Sequence, residues 1–368
     1  MAEIYIGLMT GTSADSLDVA AVDFSNDQIK VVGQENFSIP HELKEEIKNN
    51  VRASILDTTS IGRLDLTLGE FFADRISEFL DLLSLSFDEI EAIGSHGQTI
   101  KHEPNSSKPF SLQLGNPQFI SNKLGIKTIG NFRDDDIEAG GQGAPLSPLF
   151  HKEVFGKNGE KRVIINIGGI TNITVLGESN LVGFDTGPGN CLMDSWIQEK
   201  KKRNYDESGD WAQSADYNAD LLSIMLKDNY FSLENPKSTG PDYFNLSWVN
   251  RSIEDLGDEI SAADVQATLA ELTASSLVNS LKDLEVMDHH LYFCGGGVHN
   301  RYLMNRISQI VKTSCLTTEE LGINPDYLEA ICFAWLAFKR DKNVKFDMSE
   351  ITGSSRDVYL GKIFYPIK

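Results

Sequence analysis

Two strings that would place a nucleotide in a single strand-to-helix turn are missing from this chain: neither G-x-x-x-x-G-K-[ST] nor G-x-G-x-x-G occurs. Folds that bind phosphate through one such turn are therefore disfavoured. Cysteine is scarce. Its four copies, Cys191, Cys294, Cys315 and Cys332, show no CxxC spacing and no histidine at metal-ligand distance, which argues against a disulfide framework or a zinc site and for reduced thiols in the core or lining a site. Basic residues are outnumbered, with 33 Lys and Arg against 54 Asp and Glu, a net charge of −21 and a pI near 4.7. Such a surface repels nucleic acid and anionic membranes, so the expected partner is a small molecule. No apolar run approaches the roughly 20 residues that span a bilayer, and MAEIYIGLMTG has no basic segment. Neither export nor membrane anchoring is expected, and the expected location is cytoplasmic. There is no low-complexity linker either. What remains is an ordinary globular composition, 40% hydrophobic over 368 residues, long enough for two domains with a core each.

Glycine is what stands out, gathered in three turns that each follow a short apolar run: residues 11–18 (GTSADSLD), 185–190 (DTGPGN) and 295–300 (GGGVHN). Small residues let backbone N–H groups approach an anion, and the hydroxyls and carboxylates beside them suit phosphate or a metal. Their spread suggests a nucleotide clasped between two lobes, and phosphoryl transfer as the chemistry. Apolar strands flank Gly/Thr/Ser turns in both halves, at 4–9 and 19–24 around the first turn, then at 163–167, 173–176 and 181–184 around a GGITN turn. Helical spacing over 64–83 leads into a strand at 90–94. The pattern reads as a duplicated fold, with an N-terminal lobe of residues 1–130 completed by 346–368 and a C-terminal lobe of 131–345. Residues 200–250 are polar, with Pro236, Gly240 and Pro241, and suit a helical insertion or a mobile flap.

The first turn offers backbone N–H groups from Gly11, Ala14, Ser16 and Leu17, hydroxyls from Thr12 and Ser13, and carboxylates from Asp15 and Asp18. Carboxylates repel phosphate unless Mg2+ stands between, so the turn reads as a cradle with Asp15 and Asp18 on the metal side, through phosphate or water. By itself it reads equally as a polar hairpin tip. Gly295, Gly296 and Gly297 permit close approach to adenosine or its α-phosphate, with Asn300 opening a helix, though any tight strand-to-helix turn looks similar.

Asp185 ends an apolar run, and the turn of Thr186, Gly187, Gly189 and Asn190 would leave its side chain projecting into a cleft; an Asp at a strand end is ordinarily a turn former. Asp194 falls in the helix beyond and reads as structural. Glu329 lies in a helix expected to start at Pro325 and Asp326, with Ala330, Phe333, Ala334 and Leu336 as its apolar face. A charge beside that face is costly to bury without a partner, and the plain reading is a solvated first-turn glutamate. His96 and Gln98, set among Gly94, Ser95 and Gly97, suit sugar hydroxyls or the nucleotide cleft. Arg133 offers a cation and Gly140, Gly141, Gln142 and Gly143 offer amides, unless the guanidinium is spent on Asp134, Asp135 and Asp136.

Together with QLGNP at 113–117, FRDDDIEAGGQGAPL at 132–146, NIGGITN at 166–172 and ITGSS at 351–355, these strings run in an order that closely resembles the anhydro-N-acetylmuramic acid kinase family, from end to end. That family belongs to the sugar kinase, heat-shock protein and actin ATPase superfamily. The resemblance implies a two-lobed α/β actin-like ATPase fold, with duplicated mixed-sheet domains and an interlobe active-site cleft that closes for catalysis. It implies ATP and Mg2+, a 1,6-anhydro sugar phosphorylated at O6, and a homodimer. It makes Asp185 the general base for a water attacking the anomeric carbon, with Glu329 helping to hold that water and the departing O6 attacking the γ-phosphate. It adds Gly168 and Gly169 to the phosphate-binding set, and turns Arg133 toward the lactyl carboxylate of the sugar.

Two motifs depart from the family pattern. Its first loop usually reads GTSLDGxD, whereas Ala14 and Ser16 stand here for the leucine and second glycine, so Ser16 would be strained by roughly a kilocalorie if its φ were positive. The usual GDFR becomes GNFR, and Asn131 removes a carboxylate. Two other readings stay open: a kinase for an ordinary hexosamine, in which Asp185 deprotonates a hydroxyl, and a nucleotide-dependent binding ATPase on the same fold. GSHGQT, AGGQGAPL and the pairing of Asp185 with Glu329 argue against the second.

Overall fold

A computed structural model of the chain describes residues 2–11, 14–25, 29–53, 55–157, 159–177 and 181–367. Two compact units form, one from residues 1–150 and 327–368, the other from residues 151–326.

The first unit begins with an antiparallel run of β1 (Ile4–Thr10), β2 (Ser16–Asp23) and β3 (Lys30–Ser38). β4 (Ile90–Ser95) then returns parallel to β1. β5 (Gln98–Glu103) and β6 (Phe110–Leu114) make a separate hairpin, and β7 (Thr128–Gly130) lies parallel to β4. The long helix Thr58–Leu83 starts where the Asp57 carboxylate accepts from the Ser60 N–H, and it buries Leu64, Leu68, Phe72, Ile76 and Phe79, one stripe at helical spacing, in the core with Ile6 and Leu8.

In the second unit β8 (Arg162–Ile167), β9 (Ile170–Leu176) and β10 (Val182–Pro188) form the antiparallel run. β11 (His290–Cys294) is parallel to β8, and β12 (Leu316–Thr317) is parallel to β11. The order β10-β9-β8-β11-β12 repeats β3-β2-β1-β4-β7, so the duplicated mixed sheet expected from the sequence is present. β13 (Lys362–Phe364) extends the first sheet beside β7.

The units divide at 150/151 and 326/327, whereas the sequence reading placed the breaks at 130/131 and 345/346. Helix Leu328–Asp341 explains the C-terminal difference. Gly7 and Gly94 are register partners on β1 and β4, and a Cβ on Gly7 would fall 1.9 Å from the Ala330 carbonyl oxygen, one on Gly94 2.2 Å from that of Phe333. The paired glycines make a bare patch on which the helix backbone rests directly. At the other break, residues 136–143 are tied to Thr352 of the same unit.

Residues 200–250 are a helical insertion. Helices Asp210–Gln213, Ala219–Leu226 and Leu246–Leu256 place Trp211, Leu221, Met225 and Trp248 in the second core. The four cysteines are free, and burial pushes Cys191 up to about 12 and Cys315 up to about 11, as inert reduced thiols should behave. Among the described residues no helix is long and apolar enough to cross a membrane.

Candidate active site

Within the first unit the loop after β1 is shorter than its sequence suggests. β2 starts at Ser16, so Ser16, Leu17 and Asp18 belong to a strand flanked by β1 and β3; Leu17 is a core residue whose backbone is committed to the ladder. The left-handed conformation falls on Ala14 (φ 52°), not Ser16. Ala14 is fully buried and its N–H donates to Gly11 O at 3.1 Å. Ala14 and Leu17 therefore shape the loop rather than present donors to a ligand. Thr12 and Ser13 lie outside the described residues. Asp15 is ion-paired with Lys44, and Asp18 accepts from Asn36 Nδ2 at 2.6 Å.

The base of this loop meets GSHGQT, since the Thr10 hydroxyl donates to Gly97 O at 3.2 Å. His96 is buried, with Nδ1 2.9 Å from the same carbonyl and Nε2 2.9 Å from an Arg133 guanidinium nitrogen. A carbonyl only accepts and a guanidinium only donates, so one neutral tautomer satisfies both contacts: Nδ1–H donates to Gly97 O, and Nε2 accepts from Arg133. Burial first, then the Arg133 charge, holds the imidazole well below its ordinary pKa. With both nitrogens occupied, His96 orients Arg133 instead of reaching a sugar hydroxyl. Gln98 is buried as well; its Nε2 donates to Thr99 O at 3.2 Å, and among the described residues its Oε1 has no partner.

The amides of residues 140–143 are already used. Gly140 N donates to Ile137 O at 3.0 Å, Gly141 N to Asp136 O at 2.8 Å, Gln142 N to Thr352 O at 3.0 Å and Gly143 N to Asp136 Oδ2 at 2.7 Å. The expected row of amides facing the sugar is instead a wrap around buried Asp136, closed by the Thr352 hydroxyl on Asp136 Oδ1 at 2.7 Å. A Cβ at Gly141 would strike that carboxylate at 2.3 Å, which is why glycine stands there. Asp134 pairs with Lys362 at 2.9 Å. The loop thus braces the segment that carries Arg133. Glu329 stands half-buried in the first turn of helix Leu328–Asp341, on the element docked over Gly7 and Gly94; burial first, and then the Glu329 charge, raises the neighbouring Cys332 thiol.

In the second unit Asp185 lies in the middle of β10, 7% exposed, and Thr186 and Gly187, expected as a turn, continue the strand beside β9. Its N–H donates to Lys237 O at 3.1 Å and its carbonyl accepts from the Tyr230 hydroxyl at 2.6 Å, so its backbone polar groups point away from β9. Asp185 and Asn172 are therefore a non-hydrogen-bonded pair, the arrangement with the closest side chains. The Thr239 N–H donates to Asp185 Oδ2 at 3.0 Å. Asn166 pairs with Asn172 in turn, giving a polar row of Asn166, Asn172 and Asp185 on the face opposite the core residues Ile165, Ile173 and Phe184. The Asn172 Oδ1 is buried and has no partner among the described residues. Sequence reasoning missed both asparagines because it took GGITN as the turn. The connection is only Gly168 to Ile170, closed by Gly168 N on Ile170 O at 3.2 Å, so Ile167 faces Thr171 and Asn166 faces Asn172, the first and last residues of NIGGITN.

Gly168 and Gly169 are clasped by the DTGPGN segment and the residue after it: Gly189 N and Cys191 N donate to Gly169 O, and Asn190 N donates to Gly168 O at 2.8 Å. A Cβ on Gly189 would lie 2.3 Å from Gly168 O, and one on Gly187 (φ 149°) 2.8 Å from Phe231. The amides of Gly189 and Asn190 are thus spent on the neighbouring turn rather than offered to phosphate. Asp194 lies in the first turn of helix Cys191–Lys201, where its N–H donates to the N-cap Asn190 O at 2.8 Å as any residue there would. Gly295 (φ 79°) and Gly297 pack on Asn166 and Ile167, where a Cβ would lie 2.2 Å from each, while Gly296 faces open space. Asn300 caps helix Arg301–Val311 by accepting from Leu303 N at 3.0 Å, as expected. An exposed glycine before a capped helix N-terminus is a cradle that fits a nucleotide. Among the described residues no three His, Cys, Asp or Glu side chains gather as a metal cage, and the Asp15 and Asp18 carboxylates are engaged by Lys44 and Asn36, which leaves phosphate and water as the main ligands of any Mg2+ there.

The family model for anhydro-N-acetylmuramic acid kinase matches residues 3–366. Similar proteins of that name include one from Coxiella burnetii (strain Dugway 5J108-111), 42% identical over 99% of this chain and 98% of its own length. Another, from Pasteurella multocida (strain Pm70), is 41% identical over 98% of this chain and 96% of its own. A third, from Saccharophagus degradans (strain 2-40 / ATCC 43961 / DSM 17024), is 42% identical over 99% of each. A match of this length and identity settles the lineage: the chain belongs to the anhydro-N-acetylmuramic acid kinase family.

Proposed function

We propose that the chain hydrolyses the 1,6-anhydro bridge of 1,6-anhydro-N-acetylmuramic acid and transfers the γ-phosphoryl group of ATP to O6, giving N-acetylmuramic acid 6-phosphate for cell-wall recycling. The family and its relatives' names support this reading and favour neither the hexosamine kinase nor the binding ATPase. The observation that carries it is the buried Asp185 carboxylate, oriented by the Thr239 amide beside Asn172.

Asp185 takes a proton from water as the water oxygen bonds to C1 and the C1–O6 bond breaks. Asn172 helps to orient that carboxylate, and Glu329 steadies the water. O6, released from C1, bonds to the γ-phosphorus as the bond to the β-phosphate oxygen breaks, leaving ADP. Arg133, held by His96, pairs with the lactyl carboxylate. Gly296 and the helix capped by Asn300 receive the nucleotide. Asp15 and Asp18 would hold Mg2+ through phosphate or water, and when bound that ion supplies neutralising charge on the phosphates. The enzyme works as a cytoplasmic homodimer.

The test is reaction with Mg-ATP in H2¹⁸O, sampled within seconds and compared with unlabelled product placed in the same water. Heavy oxygen at C1 of the sugar phosphate is expected, with the non-anhydro sugar a poor substrate. Phosphorylation of that sugar at equal rate, with no early label, overturns the mechanism.

A further inference from the structure

Behind the Asp185 strand, on the face of Thr186, the second unit holds an open cavity of about 400 Å³ that the reaction does not use. Lys237 lies in its wall, 8% exposed, and Lys227 and Lys282 stand at its exposed rim. The Lys237 ammonium lies 3.3 Å from Tyr230 O and 3.4 Å from Phe231 O, and 5.0 Å from the Tyr230 ring centroid; among the described residues no carboxylate closes on it as an ion pair. Of the two acids in the lining, Asp228 is engaged by Tyr230 N, Tyr243 OH and Trp248 Nε1, and Asp283 is an exposed group that offsets one of the three lysines. Burial lowers the Lys237 ammonium, with Asp283 pulling weakly the other way. A buried cation without an anion at contact distance is costly, and the three lysines of the lining outnumber its two carboxylates, so the cavity favours a ligand that brings a negative charge to Lys237.

The hydroxyls in the lining narrow the ligand. Thr186 Oγ1 donates to Thr171 O, Ser276 Oγ to Thr273 O and Ser280 Oγ to Ser276 O. Each has given its one proton, so what it presents to the cavity is acceptor lone pairs. We propose that this cavity is a binding site for a small hydroxylated anion, a sugar phosphate or sugar acid, whose charge meets Lys237 and whose hydroxyls donate to Thr186, Ser276 and Ser280. The volume suits a monosaccharide and exceeds what inorganic phosphate fills. The site also touches the reaction strand. Lys237 O accepts from Asp185 N, and Thr239, two residues on, holds the Asp185 carboxylate, so occupancy shifts turnover. That coupling rests on the base role given to Asp185; the binding does not.

The test titrates glucose 6-phosphate, gluconate, glucose and inorganic phosphate into the full-length protein by calorimetry, at constant ionic strength, with the sugar site kept out of play by Arg133→Ala. The two hydroxylated anions are expected to bind at least tenfold more tightly than glucose or inorganic phosphate, and the stronger of them identifies the acid group. Lys237→Met should weaken them tenfold or more. Lys282→Glu, an exposed rim change, should weaken them several-fold while leaving kcat and KM without the anion unchanged. If Lys237→Met does not fold, Lys282→Glu and Ser280→Val decide. Equal affinity for all four probes, or no effect of these variants on anion affinity, overturns the site and leaves Lys237 as a cap on two carbonyls. Tight binding without a change in kcat overturns only the coupling to Asp185.

Discussion

The Nε2 of His96 accepts a hydrogen bond from Arg133 at 2.9 Å, while the other ring nitrogen donates to Gly97 O. The histidine therefore acts through the arginine. A single buried ring connects the loop at the end of β1, by way of the Thr10 hydroxyl on Gly97 O, to the cation expected to read the substrate's carboxylate.

His96→Ala should therefore copy a weakened Arg133. We expect Arg133→Ala to raise KM for the anhydro sugar by the equivalent of a few kcal/mol with KM for ATP nearly unchanged, and His96→Ala to raise the same KM by a smaller factor. His96→Gln, whose carbonyl can still accept from Arg133, should recover part of the loss. Equal damage to both KM values would assign the pair a purely structural role.

Asp185→Asn should retain ATP binding and lose turnover by roughly 10² to 10⁴, the usual worth of a general base. Glu329→Gln should lose less. Because both groups would serve one water, the double variant should fall short of the product of the two losses. Steady-state kinetics on the four proteins checks this, and simple multiplication of the losses would mean separate roles.

Two glycines offer a matched test of the docked helix. A Cβ at Gly7 would sit 1.9 Å from a helix carbonyl, whereas Gly62, exposed in helix Thr58–Leu83, has nothing within 4 Å. Gly7→Ala should destabilise by about 3 kcal/mol or prevent folding, and Gly62→Ala should stabilise by about 0.5–1 kcal/mol. Chemical denaturation reads both, and a Gly7→Ala protein of normal stability would show that the helix does not rest on β1.

Acid should weaken the fold below neutrality. His96 is held well below the ordinary histidine range, and burial lowers His102 and His151 to about 3 each. Each stays neutral in the folded state while the unfolded chain takes up a proton below about pH 6.5, so unfolding is favoured as pH falls through that value. Well below it, each contributes a loss of about 1.4 kcal/mol per pH unit. Thermal unfolding from pH 7.5 to 5 should show Tm falling, and His151→Gln should flatten the slope. A Tm independent of pH over that window would show that these rings can protonate in place.

The sequence by itself determined the lineage and the paired mixed sheets, because motif strings, alternation and apolar runs are local properties that survive in a string, while the glycine turns proved shorter than the strings that mark them. It also marked Asn300 at the start of a helix, whereas Asp185, expected at a strand end, lies in the middle of β10. Which groups a ligand can still reach was decided only by tertiary contacts. The amides at 140–143 look free until Asp136 and Thr352, more than two hundred residues apart, close on them. His96 looks like a ligand contact until Arg133 fills its second nitrogen. Asn172 looks like a turn residue until the pairing of Ile167 with Thr171 makes it part of β9 and the β9–β10 register puts it opposite Asp185. In each case the deciding partner is remote in the chain, and hydrogen-bond capacity is a property of the folded neighbourhood, not of the residue type.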